Sequence, residues 1–291
     1  MKKSIILSTV FLLSISLFSS FTYSQSTTLE AGFTGGVTTY SGEITSNNQM
    51  ISPGVLHPAG GAFLRLNLNS RTAIKCSFIQ GAISGDDANS NNPKHVNRNL
   101  NFTSVIQEAG LTFEYNILRM SGRKSSFFSP YVYGGIALFH FNPRTQYEGQ
   151  WVDLQPLGTE GQGSSAYPDR KPYALTQVSF PIGVGVKIAL SPSFTLGAEA
   201  GLRYTLTDYL DDVSTTYPVE LYTEGNSNFN AQLSNKLITP KEFEPGKSYA
   251  RGNPETKDWY YFTGISLSYH FGSKNSGNYA LKNTNIKCYS F

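Results

Sequence analysis

The sequence is poor in the residues that staple small domains together. It has two cysteines, Cys76 and Cys288, in 291 residues, and two cysteines do not build a disulfide framework. Cys76 stands beside Ile74 and Phe78 on one face of an alternating stretch. We interpret it as a small lipid-facing side chain, and a disulfide with Cys288 is the alternative. The disulfide-rich class of secreted domains is therefore excluded.

Long hydrophobic runs are missing after the N-terminal region. No later stretch reaches the roughly 18 apolar residues of a membrane-spanning helix, which argues against a helical membrane protein. Charge is also sparse, because 15% of residues are charged, the net charge is +3, and no basic cluster suggests a nucleic-acid partner. Mean hydropathy is -0.26. This value does not argue against a β-barrel, in which half of each strand is polar.

Histidines are few and far apart, which argues against metal or cofactor chemistry. None of the four, His57, His95, His140 and His270, has the spacing of a zinc site, and we expect no metal, cofactor or small-molecule substrate. One enzymatic alternative stays open, a Ser–His–carboxylate hydrolase that uses His140 and acts on membrane lipid. An ordinary rim or lumen position for His140 is the simpler interpretation, and we expect a non-enzymatic protein.

Aspartates cluster in two loop-like stretches. Asp86 and Asp87 follow one alternating segment, and Asp208, Asp211 and Asp212 follow another. Carboxylates in loops could bind Ca²⁺. We favour the interpretation that they are solvated loop charges.

The N-terminal residues have the pattern of an export signal. Lys2 and Lys3 precede an apolar stretch from Ile5 to Phe18, which is too short to span a bilayer, and small or polar residues follow it. This order is typical of a secretory signal peptide that is cleaved after Ser24. An uncleaved membrane anchor is the alternative.

Residues 176–207 carry the strongest pattern in the chain. Apolar side chains alternate with small or polar ones from Val178 to Leu190, and the alternation resumes from Phe194 to Leu206. Period two predicts β-strands, because successive side chains leave a strand on opposite faces. Each arm is long enough for the roughly 9–11 residues that a strand needs to cross a bilayer, whereas soluble strands usually have about 5–6. The pattern is typical of a hairpin with one face in lipid.

Six further stretches fit this pattern and complete a prediction of eight strands. One begins at Thr72 and its alternation slips near Gln80, where a bulge is expected; the others are Leu29–Tyr40, His57–Leu68, Phe102–Ile117, Ser129–Asn142 and Trp259–Phe271. Both faces of Ser129–Asn142 are apolar, so its orientation is not assigned. Strands in lipid cannot leave backbone groups unpaired, and the sheet must close. The prediction is an all-β, closed antiparallel transmembrane β-barrel of eight strands.

The connections predict how the barrel is oriented. Those after the second, fourth and sixth strands are short, and those after the first, third, fifth and seventh are long. Outer-membrane barrels have short periplasmic turns and long outer loops. We therefore expect a signal peptide (1–24), an outer-membrane barrel (25–271) with its termini in the periplasm, and a periplasmic tail (272–291). The long connections, including 143–173 and 208–258, are expected to be outer loops.

The polar face predicts a plugged interior. A barrel of eight strands is about wide enough to be filled by side chains. Four acids and four bases on the inward face suggest a neutral ion-pair network, with interior glycines leaving room for long side chains. The predicted members are Glu30, Arg65, Lys75, Glu108, Glu114, Lys187, Glu199 and Arg203. The same topology predicts a large cost for arginine at lipid-facing Val184 and a small one at Gly161 in a loop.

Four stretches have a distinctive sequence: YSGEI at Tyr40–Ile44, SPYVYGGIALFHFNP at Ser129–Pro143, FPIGVGVKIAL at Phe180–Leu190 and, most specifically, TDYLDDVSTTY at Thr207–Tyr217, with Asp208, Tyr209, Asp211 and Asp212 as the motif loop. These stretches resemble one known family, the PorG-type (DUF6089) outer-membrane proteins of Bacteroidetes. The resemblance implies a small barrel of the type IX secretion system that associates with periplasmic ring subunits. It implies a role in protein export, and in gliding where the bacterium glides. A lipid-modifying enzyme and a structural or adhesive surface barrel are the alternatives.

Overall fold

The computed structural model describes residues 27–44, 55–120, 127–223, 229–239 and 241–271. These residues form nine strands: β1 (Thr28–Ser41), β2 (His57–Asn67), β3 (Thr72–Asp86), β4 (Asn101–Asn116), β5 (Phe128–Tyr147), β6 (Gln150–Asp153), β7 (Thr176–Ala189), β8 (Phe194–Thr205) and β9 (Trp259–Phe271). The predicted signal peptide and C-terminal tail, with Cys288, lie outside the described residues.

Eight of these strands close into one antiparallel ring. Their order is β1, β2, β3, β4, β5, β7, β8 and β9, and β9 returns to pair with β1. The short β6 pairs only with the far end of β5 and stays outside the ring. The predicted closed, eight-stranded antiparallel barrel is therefore confirmed.

The two ends of the ring differ. One end, which we name the turn end, carries the short connections at residues 68–71, 117–127 and 190–193. β1 also begins at this end, after residue 27. The other end, the loop end, carries the long connections. These contain short helices at Pro93–Arg98, Val219–Thr223 and Phe229–Ser234, and 3₁₀ turns at Asp87–Asn89 and Gln155–Leu157. No helix within the described ranges is long and apolar enough to cross a membrane.

The outward face of the ring is apolar at mid-height. Ile136, Ile182, Val184 and Ile265 are 50%, 55%, 58% and 65% exposed, although each lies well inside a long strand. A continuous apolar band of this kind is typical of a barrel that contacts hydrocarbon. On β5 the outward set includes Ile136 and the inward set includes Tyr131, which assigns the orientation that the sequence left open.

Aromatic pairs flank the apolar band at both of its edges. Tyr204 and Trp259 pack edge to face at the loop end, with ring centroids 5.4 Å apart. Tyr269 packs against Phe194 and Phe271 at the turn end, at 5.3 and 5.2 Å. Aromatic girdles of this type lie at the two membrane–water interfaces of barrels.

A row of outward polar side chains marks the edge of the band nearest the loop end. Gln80, Gln107, His140 and Thr176 are successive cross-strand partners on β3, β4, β5 and β7. The Gln107 amide donates to Gln80 Oε1 at 3.4 Å, and His140 Nδ1 lies 3.0 Å from Thr176 Oγ1. Beyond this row the outward face no longer needs to be apolar.

The predicted bulge near Gln80 is wrong. β3 pairs with β4 without interruption from Thr72 to Asp86. The alternation slips because the outward position meets the polar row at Gln80, while inward Ile79 and Ile83 pack at 7% and 0% exposure. β5 also continues past its predicted end at Asn142 to Tyr147, because outward positions beyond the polar row need not be apolar. There it forms a hairpin with β6, within a stretch that the sequence predicted to be all loop.

Interior glycines make room for two tyrosines of β5. A Cβ on Gly201 would lie 2.1 Å from the Tyr133 hydroxyl oxygen, and one on Gly185 would lie 2.5 Å from the Tyr131 ring. Both tyrosines are buried in the lumen, at 5% and 2% exposure. Rings from β5 thus occupy the space that side chains at these glycines of β7 and β8 would take.

Gly201→Ala should lower the free energy of unfolding by about 1–3 kcal/mol, because the added methyl group overlaps the Tyr133 hydroxyl. Tyr133→Phe removes that oxygen and should restore part of the loss. Urea unfolding in lipid vesicles, followed by tryptophan fluorescence, measures both effects. Gly134→Ala is the control, since its nearest atom would be 3.9 Å away. Equal losses at Gly201 and Gly134 would contradict the packing.

Candidate functional site

The charged interior of the ring is organised around Glu114 on β4, which is fully buried. Its carboxylate lies 2.8 Å from Arg65 Nε, 2.6 Å from Lys187 Nζ and 3.6 Å from Lys75 Nζ. Buried charges are tolerated only when opposite charges and hydrogen bonds compensate them. One carboxylate therefore connects cations from β2, β3 and β7 across the lumen.

Two further acids complete this cluster. Glu30 accepts from Arg65 Nη1 at 2.8 Å, and Ser268 on β9 donates to the same carboxylate at 2.9 Å. Glu199 on β8 accepts from Lys75 Nζ at 2.7 Å. Strands β1 to β4 and β7 to β9 thus each contribute a side chain to this hydrogen-bonded cluster.

A separate ion pair lies nearer the loop end. Arg203 Nε is 3.2 Å from Glu108 Oε2, and the Tyr260 hydroxyl donates to the same oxygen at 2.5 Å. Phe262 lies beneath the guanidinium, 5.3 Å from ring centroid to Cζ. The pair and its aromatic neighbours fill the upper lumen.

The structure places all eight predicted interior charges inside the ring, and none is more than 6% exposed. They are Glu30, Arg65, Lys75, Glu108, Glu114, Lys187, Glu199 and Arg203. The four acids and four bases balance in charge. Their burial inside the ring agrees with the predicted inward orientation, and the plugged lumen stays a prediction.

Above the ring, the long connections fold into a cap. The cap comprises the described parts of residues 87–100, 148–175 and 206–258. Its hydrophobic core joins Phe141 of β5 to Leu154 and Leu210, each at most 4% exposed. Tyr173 stacks on Phe141 at 6.1 Å and on Tyr209 at 4.6 Å. The loop end is therefore covered by packed structure.

Asp211 of the motif loop lies at the base of the cap and is 1% exposed. Its Oδ2 accepts from the Tyr40 hydroxyl at 2.7 Å and from Ile44 N at 3.1 Å, and its Oδ1 accepts from Val213 N at 2.9 Å. Burial raises the pKa of the Asp211 carboxyl to about 6. The aspartate thereby fastens the motif loop to the end of β1.

Asp212 faces the opposite way, into the cap. Its backbone adopts a left-handed conformation, with φ of 66°, which aspartate tolerates better than most residues. The carboxylate accepts hydrogen bonds from the Tyr173 hydroxyl at 2.7 Å and from Thr159 Oγ1, and it lies 3.7 Å from Arg251 Nη2. Burial raises the pKa of the Asp212 carboxyl to about 7, although Arg251 opposes this shift.

The pair that holds the cap together, Glu160 with Arg251, is not predicted from the sequence. Glu160 is fully buried; it lies 3.0 Å from Arg251 Nη1 and accepts from Ser214 N and Thr215 N, each at 2.9 Å. The Tyr209 hydroxyl lies 3.3 Å away. No periodicity or spacing marks two loop residues that are 91 positions apart, so only the folded chain reveals them.

The interpretation of the loop aspartates as solvated charges is wrong for four of them. Asp87, Asp208, Asp211 and Asp212 are 1%, 3%, 1% and 1% exposed. Asp87, for example, pairs with Arg98 Nε at 2.7 Å. The loops were expected to be exposed, but they pack on one another and bury their acids.

The small cost expected for arginine at Gly161 is also contradicted. Gly161 is buried with φ of +84°, and a Cβ there would lie 2.6 Å from the Tyr167 ring. A side chain at this position would be strained and would also clash. The position lies in a sequence-predicted loop, but that loop is part of the cap.

The described histidines form no metal cluster with cysteine or acids. His140 contacts Thr176 on the outer face and no serine. His57 Nε2, in contrast, lies 2.7 Å from Ser84 Oγ near the loop end. This contact joins a base to a hydroxyl, although no carboxylate in the described residues hydrogen bonds to the His57 ring.

A family model described as a domain of unknown function, DUF6089, matches residues 6–231. No curated protein matches the chain. Three similar solved structures are Neisserial surface protein A (9% identity, TM-score 0.43, covering 84% of this chain and 99% of that one), the N-terminal β-barrel domain of Pseudomonas aeruginosa OprF (10%, 0.36, 85% and 98%) and the Pseudomonas aeruginosa outer membrane protein OprG (10%, 0.36, 84% and 97%). At these identities and TM-scores, the comparisons carry nothing about function.

Proposed function

This chain belongs to the DUF6089 family, and from that premise we propose that it is a non-enzymatic outer-membrane component of the type IX protein secretion machinery. It anchors a periplasmic ring complex, and it serves gliding where the bacterium glides. The motif TDYLDDVSTTY supports the assignment through its resemblance to PorG-type proteins, and its Asp211 and Asp212 are structural members of the cap. Outer-membrane lipid and the periplasmic ring subunits are the proposed partners.

One observation carries the proposal: eight buried charges lie in the lumen, and the described parts of the long connections pack over the loop end. This arrangement is suited to hold other proteins in place, whereas a conduit would need a free lumen. We therefore assign it the role of an anchor and assign passage of cargo to other subunits.

The turn end is the proposed docking surface for the ring. The connection from β4 to β5 is the longest at that end, and Ile117, Leu118 and Phe127 are 49%, 42% and 71% exposed. Its sequence, LRMSGRKSS at 118–126, adds three basic residues, of which those within 121–126 lie outside the described residues. With the short turns in the periplasm, this apolar and basic surface faces the ring subunits.

The test is co-purification from outer membranes of the native bacterium with partner identification. Tagged full-length chain should recover periplasmic ring subunits. Replacing Arg119, Arg123 and Lys124 with serine should reduce that recovery and the amount of exported protein. Replacing exposed Lys94, Lys241 and Lys247 at the loop end with serine removes the same charge and should change neither. Recovery of no ring subunit, with export intact in a deletion strain, would refute the proposal.

The contact between His57 and Ser84 favours a second candidate, a lipid-modifying barrel enzyme. The two side chains meet at 2.7 Å near the outer edge of the apolar band, where a lipid headgroup would lie. Mass spectra of lipid A decide it: identical spectra from wild-type and Ser84→Ala strains would remove this candidate.

An adhesive surface barrel would use the cap. Its packed core presents a defined surface at the loop end, as an adhesin requires. Normal export together with lost surface binding in a deletion strain would favour this role over the anchor.

A further inference from the structure

Three carboxylates meet where neighbouring strands reach the loop end. Asp208 follows β8, Asp258 precedes β9 and Glu43 follows β1, and these strands are adjacent in the ring. One carboxylate oxygen from each residue lies within 4.8 Å of the other two. Backbone contacts fix the geometry, because Asp258 N donates to Thr207 O at 3.1 Å and Thr205 Oγ1 donates to Asp258 O at 2.7 Å.

This rim cluster of Glu43, Asp208 and Asp258 has no basic partner within 4 Å among the described residues. The neighbouring Lys257 donates its ammonium group to Pro254 O at 2.8 Å instead. Seven other buried acids do form ion pairs: Glu30, Asp87, Glu108, Glu114, Glu160, Glu199 and Asp212. Among the described residues, Asp211 is the one other buried acid without an ion pair, and its carboxylate accepts hydrogen bonds from Tyr40, Ile44 and Val213 instead.

Asp208 adds an observation independent of the clustering. It is 3% exposed, yet neither of its carboxylate oxygens has a hydrogen-bond partner. Ser214 approaches it without reaching hydrogen-bond geometry. Glu43 Oε2 is unpartnered as well. Buried polar atoms in folded proteins nearly always have partners, so these three oxygens indicate a ligand.

We propose that Glu43, Asp208 and Asp258 form a divalent-cation site, and that Ca²⁺ is the ion it fits. Ca²⁺ binds carboxylate oxygens at about 2.3–2.6 Å, so oxygens up to roughly 5 Å apart can share one ion. The 4.8 Å spacing is within that reach. Three carboxylates supply the negative charge that a divalent ion neutralises.

Surrounding groups hold the rim cluster in place. The Tyr40 hydroxyl donates to Asp211 Oδ2 at 2.7 Å and lies 3.1 Å from Asp258 Oδ1, while Leu210 N donates to Asp258 Oδ2 at 2.9 Å. Gly42 allows the chain to pass, because a Cβ there would lie 1.9 Å from Asp258 Oδ1. Such supporting contacts orient ligands for a metal.

A cation here would tie both ends of the longest loop to the end of β1. It would also compete with protons for the same carboxylate oxygens, so binding should weaken as pH falls. The other titratable or charged groups that act on the rim cluster are Tyr40, Glu160, Asp211 and Lys257.

The experiment is isothermal titration of the refolded full chain in detergent with Ca²⁺, with Mg²⁺ as a second probe. Wild type should bind Ca²⁺ saturably and release protons on binding. Asp208→Asn and Glu43→Gln should each weaken binding at least tenfold. Glu255→Gln removes an exposed acid from the same loop and should change nothing. Tryptophan fluorescence checks that each variant is folded.

Three results would overturn the site. They are no saturable binding of Ca²⁺ by wild type, unchanged affinity in both folded rim variants, and equal weakening by Glu255→Gln. If Lys257 neutralises the rim cluster instead, wild type will bind no ion and Lys257→Met alone will loosen the cap to protease. The site does not depend on the secretion role, because binding is measured on the isolated chain.

Discussion

Replacing Glu114 with glutamine should lower the free energy of unfolding by about 3–5 kcal/mol, because it leaves buried cations without their shared carboxylate. Glutamine keeps the volume of the side chain, so the loss reports charge. Lys187 loses its partner at 2.6 Å, and Arg65 loses one of its two partners at 2.8 Å and keeps Glu30. Urea unfolding of the vesicle-inserted chain, followed by tryptophan fluorescence, measures the change.

A second substitution separates charge balance from general damage. Lys187→Met in the Glu114→Gln background removes the excess cation. It should recover part of the stability, because the interior then has equal numbers of acids and bases again. The control is Glu242→Gln in an exposed part of the cap. If Glu114→Gln unfolds at the same urea concentration as the control, the interior network does not stabilise the barrel.

Val184→Arg should lower the free energy of unfolding by about 2–4 kcal/mol, because Val184 faces outward near the middle of β7, far from both membrane surfaces. Its side chain is 58% exposed, and its partners Val132 and Ala200 continue the apolar band on either side. An arginine there must be dehydrated or must distort the bilayer. The same unfolding assay in vesicles gives the number.

Gln107→Arg is the matched control for that experiment. Gln107 is also outward on a strand, but it lies in the polar row at the edge of the band. Arginine near the interface should cost only about 0–1 kcal/mol. Equal costs at Val184 and Gln107 would mean that the outward face does not contact lipid as described.

The ring could be predicted because the two faces of each strand contact different environments. Lipid outside and ion pairs inside force a strict alternation, which is readable wherever both constraints hold, as in β7 and β8. It fails at Gln80, where the outward position leaves the apolar band. The interior charges were predictable for the same reason, since Lys187 or Glu199 on an otherwise apolar strand can only face the lumen.

The cap could not be predicted in the same way. Its stability comes from contacts between residues far apart in sequence, such as Glu160 with Arg251 or Tyr40 with Asp211. Turn-forming composition indicates a loop but says nothing about whether loops pack together. Gly161 shows the consequence, because a residue type common in mobile loops is here required by a buried left-handed conformation.

The joint between the first and last strands has a consequence for how the protein is made. β1 pairs with β9 from Leu29–Phe271 to Ser41–Trp259, so the ring cannot close until β9 has been synthesised. An unfinished sheet would expose two rows of unpaired backbone groups to hydrocarbon. Glu108 would also lack Tyr260, which arrives on that last strand. We therefore expect the growing polypeptide to stay in water until β9 is present, and membrane insertion to follow as a late, cooperative step.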